Sequence, residues 1–558
     1  MTIYVDVTYV LCVAFRSGIP RVVQEVLLRL MRRGFPPLTP IYYETGRSEY
    51  RLADPEKLLF ALEFGKKLNG LVTEAVFSPE GIAKGDVFFD IDAVWHLSPP
   101  RDIMYKRLKA AGTRVVSYVY DIIPVTDPQF CEQNASNKFL HYLGAVLDHA
   151  DLLLAPTEST LAEIGRLCDE RGVPRIPGRP TWLGADFTVP FFKRDDLRSI
   201  HPDAMRAVQS GRYVLIVGTI QPLKNQGVVL DAFDQALFAK GVNLVLAGKI
   251  GWDVEALEKR IREHPLLGRQ LFFLDRMNDV TIDYLYRNAF CLAFPTRREG
   301  FGLPTVEALQ RGLPVLASDI PVLREVGGEF CRYFSPDSPA SFTEALVPLL
   351  DSDEAYKALR SKVAGYRPAT WEMVSSKIAG ILGETLACSK ATRVICMVRH
   401  ALRKMTRLFS MESCLASEFA VREGEWLSFA QGDGALALAH VLDGVSHPEP
   451  DFTWTCGSAL VLAFKPGKGK KLSVTLRCRT FLPEERVVAR VGNREIASVK
   501  IAGEGEMTFP VPCCRSFLKG VQIVTLDLPD AISPAEVLGS ADTRRIALAL
   551  LSLRAESR

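Results

Sequence analysis

The sequence lacks the features that mark membrane-spanning and secreted proteins. Its 558 residues contain no apolar run long enough to cross a bilayer, so no transmembrane helix is predicted. No basic segment opens the chain, and Asp6 falls inside the first apolar run, which predicts a strand instead of a signal peptide. We therefore expect a cytoplasmic protein, either free or held peripherally at the inner face of a membrane.

Charge and cysteine content exclude two further classes. The 68 basic and 65 acidic residues leave a formal net charge of +3, too balanced to indicate nucleic acid as a partner. The 12 cysteines form no C-x-x-C framework, and the eight histidines show no ligand-like spacing beside them. We predict buried free thiols and a reducing compartment, and no metal site at Cys513 and Cys514.

Short apolar strands alternate with helical patterns over residues 1–385, in two sets. Strands of the first set are predicted at 3–7, 87–89, 115–119 and 152–155, and those of the second at 213–218, 244–248, 271–274, 291–294 and 314–317. Each set predicts a doubly wound parallel sheet, with a cleft between the two halves. The turn after the first strand has no Gly-x-Gly-x-x-Gly, so a nucleotide-sugar epimerase or dehydrogenase is not indicated.

The most informative segment is a glycine-rich turn flanked by two glutamates. Glu299 precedes the turn and Glu307 follows it on a predicted helix, for which Pro304 suits the first turn. Gly300 and Gly302 are expected to allow positive φ. Amides exposed at such a turn, together with the positive helix end, form a site for phosphate, and carboxylates beside it can accept hydrogen bonds from sugar hydroxyls.

These residues resemble the E-x7-E signature of retaining nucleotide-sugar glycosyltransferases of family 4. The resemblance implies that Glu299 meets the donor sugar and Glu307 the nucleotide ribose, in a fold called GT-B in which two Rossmann-like domains face a central cleft. Other landmarks of the family are matched by segments that cover residues 1–385: 17–23, 121–124, 156–160, 183–186, 311–318, 321–326 and 371–374. The last of these is similar to a helix that crosses back onto the first domain.

The resemblance also implies which residues bind the donor. Lys224 carries over as the cation that binds the diphosphate, and Asp121 is a candidate for the cleft face near the donor or acceptor sugar. The remaining donor-binding candidates, taken from the two domains, are Gly18, Arg21, Gly218, Thr219, Asn225, Gly300, Phe301, Gly302, Leu303 and Glu307.

One position departs from the family pattern. Leu223 stands where the family commonly has an arginine, so one phosphate-binding group is missing. Arg297, Arg298 or Arg21 could replace it, and the sequence does not choose among them. Leu223 also leaves open an alternative function, in which the front half is a scaffold and the protein binds or assembles carbohydrate without catalysis.

Two other chemistries are disfavoured by the sequence. Asp90 and Asp92 form a D-x-D motif, which holds metal and diphosphate in another glycosyltransferase fold, but the two-half organisation favours a metal-independent enzyme. A glycosidase with Glu299 and Glu307 as acid and nucleophile is disfavoured because a helix start lies between them. The resemblance implies retention of the anomeric configuration, no cofactor, and a nucleotide diphosphate sugar as the donor substrate.

The sequence pattern of alternating strands and helices ends near residue 385. Residues 390–409 alternate basic and apolar side chains without an acidic one, which suits either peripheral membrane contact or a linker helix packed on the catalytic body. Alternating β-rich runs follow, at 459–464, 472–477, 486–491, 496–501 and 521–528, and a closing run at 545–550 suits a last strand or a short helix. They predict a β-sandwich or jelly roll for carbohydrate binding or protein docking.

We thus predict an N-terminal Rossmann-like acceptor-side domain at 1–190, a nucleotide-sugar domain at 191–385, a basic amphipathic linker at 386–411 and a β-sandwich at 412–558. The predicted function is a retaining, metal-independent transfer of a hexose, with mannose as the first guess, from a nucleotide diphosphate sugar. Its acceptor would be a bacterial surface polysaccharide, a lipopolysaccharide or another lipid-linked saccharide. Glucose, galactose and rhamnose donors stay open.

Overall fold

The computed structural model describes residues 2–12, 18–34, 36–64, 70–96, 100–131, 133–186, 200–275 and 277–386, and a set of strands between 427 and 557. Two compact units are present: one holds the described residues up to 386 apart from a short stretch near 63, and the other holds most of the remainder. The predicted basic segment 390–409 and the cysteines at 513 and 514 lie outside the described residues.

The first domain is built on an eight-stranded sheet in the order β4-β3-β2-β1-β5-β6-β7-β8. Its strands are β1 (Ile3–Asp6), β2 (Leu38–Glu44), β3 (Glu49–Ala53), β4 (Val72–Val76), β5 (Val87–Asp90), β6 (Arg114–Tyr118), β7 (Leu152–Ala155) and β8 (Gly178–Pro180). The six strands from β2 to β8 through β1 pair in parallel, as predicted, whereas β3 and β4 add an antiparallel edge beyond β2. Helices of this domain are α1 (Thr8–Cys12), α2 (Ile19–Arg33), α3 (Pro55–Phe64), α4 (Arg101–Ala110), α5 (Ile123–Thr126), α6 (Gln133–His149) and α7 (Glu158–Arg171).

The antiparallel edge was not predicted from the sequence. Polar residues such as Glu44 and Arg51 interrupt the apolar pattern of β2 and β3, and Pro40 lies inside β2. Prolines are normally confined to sheet edges or strand ends, so the segment does not read as a central strand. The hairpin turn has no Asn-Gly or Asp-Gly signal, and Ser48 takes a positive φ of 52° there.

The second domain has six parallel strands in the order β11-β10-β9-β12-β13-β14. They are β9 (Tyr213–Val217), β10 (Asn243–Ala247), β11 (Leu271–Leu274), β12 (Cys291–Phe294), β13 (Val315–Ser318) and β14 (Cys331–Phe334). This 3-2-1-4-5-6 order is that of the dinucleotide-binding doubly wound fold, in which ligands bind beyond the carboxyl ends of the strands. The helices are α8 (Pro202–Gln209), α9 (Gln226–Ala232), α10 (Glu255–Arg262), α11 (Asp279–Asn288), α12 (Leu303–Gln310), α13 (Pro321–Gly327), α14 (Pro339–Asp351), α15 (Asp353–Val363) and α16 (Trp371–Thr385).

Strands β12 and β13 are buried at every position. Helices cover both faces of a parallel sheet, so its strands are apolar throughout instead of alternating. This is why the predicted strands of the second domain agree with the structure to within a residue at most ends. The expected free thiols are also found: among the cysteines in the described residues, Cys168, Cys291, Cys331 and Cys478 are buried and unbridged.

Helix α16 follows the second domain in sequence but packs on the first. Val374, Ile378 and Leu382 join the apolar cluster that contains the buried face of α2. Trp371, at its start, is fully buried against Gly184, where a Cβ would lie 2.5 Å from the Trp371 ring and backbone nitrogen. The two segments that connect the domains therefore touch each other at this point.

The second unit consists of two antiparallel sheets. One has the order β17-β18-β25-β20-β23 with β15 beside β25, and the other β16-β19-β24-β21-β22. The strands are β15 (Leu427–Ser428), β16 (Val441–Asp443), β17 (Val445–Pro448), β18 (Thr453–Thr455), β19 (Ala459–Phe464), β20 (Leu472–Thr480), β21 (Glu485–Val491), β22 (Arg494–Ile501), β23 (Glu504–Val511), β24 (Gln522–Asp527) and β25 (Leu548–Ser557). Inward side chains of both sheets, including Phe464 and Phe509, form one apolar cluster, as in a β-sandwich.

The described part of the closing run, from Leu548 onward, is a strand and not a helix. β25 pairs with β20 over its full length and with β18 near its start, which places it inside the sheet. The predicted domain boundaries near 190, 385 and 411 fall in or beside stretches outside the described residues and stay predictions. In the part of the chain that the structure describes, no helix combines the length and apolar character needed to cross a bilayer.

Candidate active site

The turn between β12 and α12 brings the second domain against the first. Gly302 takes φ 87° as the N-cap of α12, which agrees with the prediction. The prediction of a positive φ at Gly300 is wrong, since Gly300 is not among the left-handed glycines. A Cβ at Gly300 would lie 2.2 Å from the carbonyl oxygen of Tyr120, so glycine is needed there for close approach of the first domain.

Glu299 and Lys224 meet at the carboxyl end of the second sheet. Lys224 ends a 3-10 turn, Pro222–Lys224, that follows β9, and its Nζ donates a hydrogen bond to Oε1 of Glu299. The lysine side chain is 23% exposed and the glutamate 11%. Nζ also lies 5.7 Å from the ring centroid of Phe294, the last residue of β12. Two loops that are far apart in sequence thus place one cation and one carboxylate side by side.

Glu307 is held by groups from both domains. Arg21, in the first turn of α2, donates from Nη1 to Oε1 of Glu307 over 2.5 Å. Tyr286, on α11, donates from Oη to Oε2 over 3.1 Å. Burial, together with the neighbouring carboxylate of Glu307, holds the pKa of Tyr286 well above its usual range, so the phenol keeps the proton that it donates.

Asp121 lies three residues beyond the end of β6 and lines the same cavity from the first domain, where its Cβ would be 3.1 Å from a Cβ at Gly300. Its Oδ1 accepts a hydrogen bond of 3.1 Å from the amide of Ile123. Burial raises the pKa of Asp121 from its ordinary value of 3.8 to about 6, and the negative charge of Glu299 adds to the effect. Asp121 of the first domain and Glu299 of the second are therefore close enough to interact electrostatically.

The predicted residues surround a cavity of about 600 Å³ between the two domains. From the first domain it is lined by Gly18, Ile19, Arg21, Val22, Tyr120, Asp121, Pro156 and Leu183, and from the second by Val217, Gly218, Thr219, Lys224, Ala247, Gly248, Lys249, Met277, Asp279, Ile282, Phe294, Glu299, Gly300, Phe301, Gly302, Leu303, Pro304 and Glu307. All predicted site residues except Asn225 are in this lining. A cavity of this size can hold a ligand of several hundred daltons.

Sequence reasoning missed Lys249 as a second cation of the second domain at the cavity. The loop that carries it is locked to the loop after β9: the Ile220 amide donates to the carbonyl of Lys249 over 2.8 Å. A Cβ at Gly248 would lie 1.9 Å from the carbonyl oxygen of Gly218, so these glycines allow the two loops to touch. The available signal was the position of Lys249, just after a predicted strand, where ligands of parallel sheets bind. Asp279 and Ile282, on α11, had no such signal.

Asn225 is the predicted site residue that the structure keeps out of the cavity. It takes a left-handed conformation with φ 54° at the start of α9, and its Nδ2 donates to the carbonyl of Pro336 over 2.6 Å. Leu223 is buried, and its carbonyl accepts hydrogen bonds from Thr296 and Arg297. The place of the missing arginine is therefore occupied by apolar packing.

The three arginines offered as replacements differ in position. Arg21 lines the cavity, whereas Arg297 and Arg298 are absent from its lining. Arg297 contacts Asp337 over 3.3 Å, within its own domain. Arg298 reaches the first domain and donates to Asp127 over 2.8 Å.

Both aspartates of the D-x-D motif, Asp90 and Asp92, are buried in the first domain. Asp90 accepts hydrogen bonds from Arg101 and Tyr105, and all three side chains are buried. Asp92 accepts the amides of Val10 and Ala93 over 2.8 Å each. Burial raises the pKa of Asp92 to about 7. Within the described residues, no group of His, Cys, Asp and Glu side chains is arranged to hold a metal ion.

Residues 200–364 match the family described as "Glycosyl transferases group 1". The matched segment contains all six strands of the second sheet together with Lys224, Glu299 and Glu307. The matched residues form the second α/β domain with its six-stranded parallel sheet.

Among curated proteins, the chain is similar to serotype-specific mannosyltransferase WbdA of Escherichia coli, with 31% identity over 343 residues that cover 59% of this chain and 40% of the relative. It is also similar to O-antigen chain mannosyltransferase B of Escherichia coli, with 25% identity over 299 residues, or 50% of this chain and 73% of the relative. The chain thus spans 40% of the length of the WbdA relatives that it matches.

Among solved structures, the chain resembles Anabaena Alr3699/HepE in complex with UDP, with a TM-score of 0.48 and 13% identity over 69% of this chain and 100% of that one. A sucrose-phosphate synthase from Thermosynechococcus elongatus gives a TM-score of 0.47 and 15% identity, over 70% of this chain and 100% of the other.

Proposed function

We propose that this protein transfers a hexose, with mannose as the first candidate, from a nucleotide diphosphate sugar to a polysaccharide or lipid-linked saccharide. The observation that carries the proposal is the convergence of Glu299, Glu307, Lys224 and Arg21 on one cavity of about 600 Å³ between two Rossmann-like domains. Two carboxylates, two cations and a glycine turn at a helix start are the groups that a sugar linked to a diphosphate requires.

The diphosphate would lie between the start of α12 and the cations of the cavity. Leu303 and Pro304 open α12, so the positive end of that helix faces the cavity. Lys224 and Lys249 come from two neighbouring strand ends and supply fixed positive charge. Departure of the nucleoside diphosphate increases negative charge on its oxygens, and preorganised cations stabilise that charge most in the transition state.

Arg21 is the replacement that the geometry favours for the missing arginine. It reaches the cavity from the first domain, where it contacts Glu307, while the side chain of Leu223 is buried. Arg21 would contact both Glu307 and the bound nucleotide. A guanidinium has five donors, so it can bind a carboxylate and a phosphate together.

The sugar would be oriented by carboxylates. Glu299 would accept hydrogen bonds from donor hydroxyls, and Asp121 lines the cavity from the first domain, which would be the acceptor side. No protein nucleophile is assigned: the acceptor hydroxyl would pass its proton to a donor phosphate oxygen as the bond to the leaving group breaks, with retention of configuration. The pairing of Glu299 with Lys224 suits an orienting role, because the ion pair holds the carboxylate in one place.

The choice of mannose rests on the two relatives, both of which are described as mannosyltransferases. The word O-antigen in the name of one relative supports a bacterial surface polysaccharide as the acceptor. A guanosine diphosphate donor and an acceptor attached to lipid are parts of the same proposal. Neither requires a cofactor.

The experiment that tests the proposal is nucleotide release from a panel of guanosine and uridine diphosphate sugars by the purified protein, with a lipid extract as acceptor source. Glu299→Ala and Lys224→Ala should abolish release from the preferred donor. The matched controls are Glu329→Ala and Lys362→Ala, which remove an exposed ion pair of 3.1 Å elsewhere in the second domain. Release from no donor, or release that survives both site variants, would contradict the proposal.

Two further measurements test the metal independence and the stereochemistry of the proposed reaction. A chelator should leave the rate unchanged if the reaction needs no metal, and restoration by a divalent ion would overturn that part. The anomeric configuration of the product, read by proton NMR, should equal that of the donor.

A further inference from the structure

The start of α7 receives three contacts from the second domain. This helix belongs to the first domain, and its first residues fall in the Pro-Thr-Glu-Ser-Thr segment at 156–160. Pro156 alone of that segment lines the cavity, so most of it does not face a substrate. Its side chains and amides instead contact the glycine turn and α13, and Glu163, further along the helix, contacts the arginine next to Glu299.

The first contact holds the backbone of the glycine turn. The carbonyl of Gly300 accepts hydrogen bonds from the hydroxyls of Thr157, over 3.2 Å, and Thr160, over 3.4 Å. Thr157 is also the N-cap of α7 and accepts the amide of Thr160. Because Gly300 directly follows Glu299, these hydroxyls fix the main chain beside the proposed sugar-binding carboxylate.

The second contact completes the cap of α7 from the other domain. Glu325, on α13, accepts the amide of Glu158 over 2.7 Å, and the amide and hydroxyl of Ser159 over 2.9 and 2.6 Å. The first amides of a helix have no partner inside the helix. Thr157 satisfies one of them, and a carboxylate of the second domain satisfies two others at the positive end of the helix dipole.

The third contact is the ion pair of Arg298. Its guanidinium donates to Glu163, one turn further along α7, over 3.3 Å, and to Asp127 over 2.8 Å. The arginine is the residue just before Glu299. Both neighbours of the proposed sugar-binding glutamate are therefore attached to the first domain.

We infer that the start of α7 is a docking point that positions the loop of Glu299: Thr157, Thr160 and Glu163 hold the residues on either side of Glu299, while Glu325 fixes the second domain to the helix end. This inference rests on the proposed function, in which Glu299 orients the donor sugar. Thr157 and Glu325 are positioning residues, and neither lines the cavity.

Its consequence is a separation of binding from turnover. Most donor-binding groups are on the second domain and would keep their places when the docking point is broken, whereas Glu299 would lose its register with the acceptor-side domain. We expect Glu325→Ala and Thr157→Val to lower kcat about 10- to 100-fold, since a misplacement of about 1 Å costs that much. Their affinity for the free nucleoside diphosphate should change less than about threefold.

The test combines three readouts on the full chain. Calorimetry measures binding of the nucleoside diphosphate, steady-state assays give kcat, and hydrogen–deuterium exchange follows the amides of Glu158 and Ser159. Glu325→Ala should speed exchange at these amides without changing the rest of α7. Thr157→Ser should keep the wild-type kcat that Thr157→Val loses, because serine retains the hydroxyl. Glu329→Ala is the matched carboxylate control.

The outcomes separate this inference from the proposed function. If the wild-type protein uses no donor, the proposed function fails, and the exchange data alone decide whether the docking contact exists. If Glu325→Ala exchanges like the wild type, the docking contact is absent and the inference is overturned. Faster exchange with unchanged kcat would also overturn it, because docking would then not position Glu299.

Discussion

Arg21 of the first domain and Glu307 of the second are joined by a hydrogen-bonded ion pair of 2.5 Å between residues 286 positions apart. The arginine side chain is 14% exposed and the glutamate 7%. The pair lies at the cavity wall, so it links the domains at the place where the donor is proposed to bind.

Arg21→Ala should impair both the site and the fold. Removal of one partner of a largely buried ion pair leaves the other charge unpaired, at a cost of about 3 kcal/mol in unfolding free energy. We also expect kcat/KM for the donor to fall about 10- to 100-fold, because a charge-assisted hydrogen bond is lost. Arg21→Lys should give an intermediate value. An unchanged kcat/KM in Arg21→Ala would show that this arginine does not contact the donor.

Much of this site follows from the sequence, because the carboxyl ends of parallel strands meet at one edge of a sheet. Glu299, Lys224 and Asp121 each follow a predicted strand, and the structure brings all three to one cavity. The pair of Arg21 and Glu307 could not be predicted in this way. Its partners come from different sheets, and the relative position of two sheets is set by tertiary packing.

Gly300 shows a second limit of prediction from the sequence. A glycine in a turn can serve a left-handed backbone or a close approach, and the sequence does not distinguish them. The hairpin of β2 and β3 is a third case, since Pro40 and the polar residues of these strands hide the apolar pattern by which strands are predicted. Residues 390–409 and the predicted carbohydrate-binding or docking role of the sandwich stay predictions.

Gly300→Ala should separate the domains without straining the turn itself. Its φ is not left-handed, so alanine is conformationally allowed, but the added Cβ would meet the carbonyl oxygen of Tyr120 at 2.2 Å. We expect turnover to fall at least about tenfold through displacement of the loop. Gly380→Ala is the matched control, because no atom lies within 4 Å of the position of its Cβ. Equal turnover in the two variants would refute this account of Gly300.

Lys249→Ala tests the cation that the sequence did not reveal. Loss of a charged donor beside a diphosphate should raise Kd for the nucleoside diphosphate about 10-fold, since charge-assisted hydrogen bonds contribute about 1.5 kcal/mol or more. The effect should shrink as salt is added. Lys240→Ala, which breaks an exposed pair with Asp351 of 3.1 Å, should leave Kd unchanged. Calorimetry at low and high salt provides the measurement.

Asp121 should make stability depend on pH between about 4 and 6. Its pKa is raised by burial from 3.8 to about 6, so in this window the folded protein binds the proton more tightly than the unfolded chain does. The stabilisation is complete at lower pH and is lost as pH rises through 6. Asp121→Asn should remove this contribution.

The check for Asp121 is a comparison of melting temperatures, wild type against Asp121→Asn, over that range of pH. The difference between the two proteins should change steadily from about pH 4 to pH 6 and become constant above it. A constant difference throughout would mean that Asp121 titrates at its ordinary pKa.

The packing of α16 on α2 has a consequence for synthesis of the chain on the ribosome. Val374, Ile378 and Leu382 complete the apolar cluster that begins with Val22 and Val26, although the whole second domain separates them in sequence. Domains usually fold in order as they emerge. Here the apolar face of the first domain stays uncovered until the second domain and α16 have been synthesised. A fragment that ends near residue 190 should therefore aggregate unless residues 366–386 are supplied as a separate peptide.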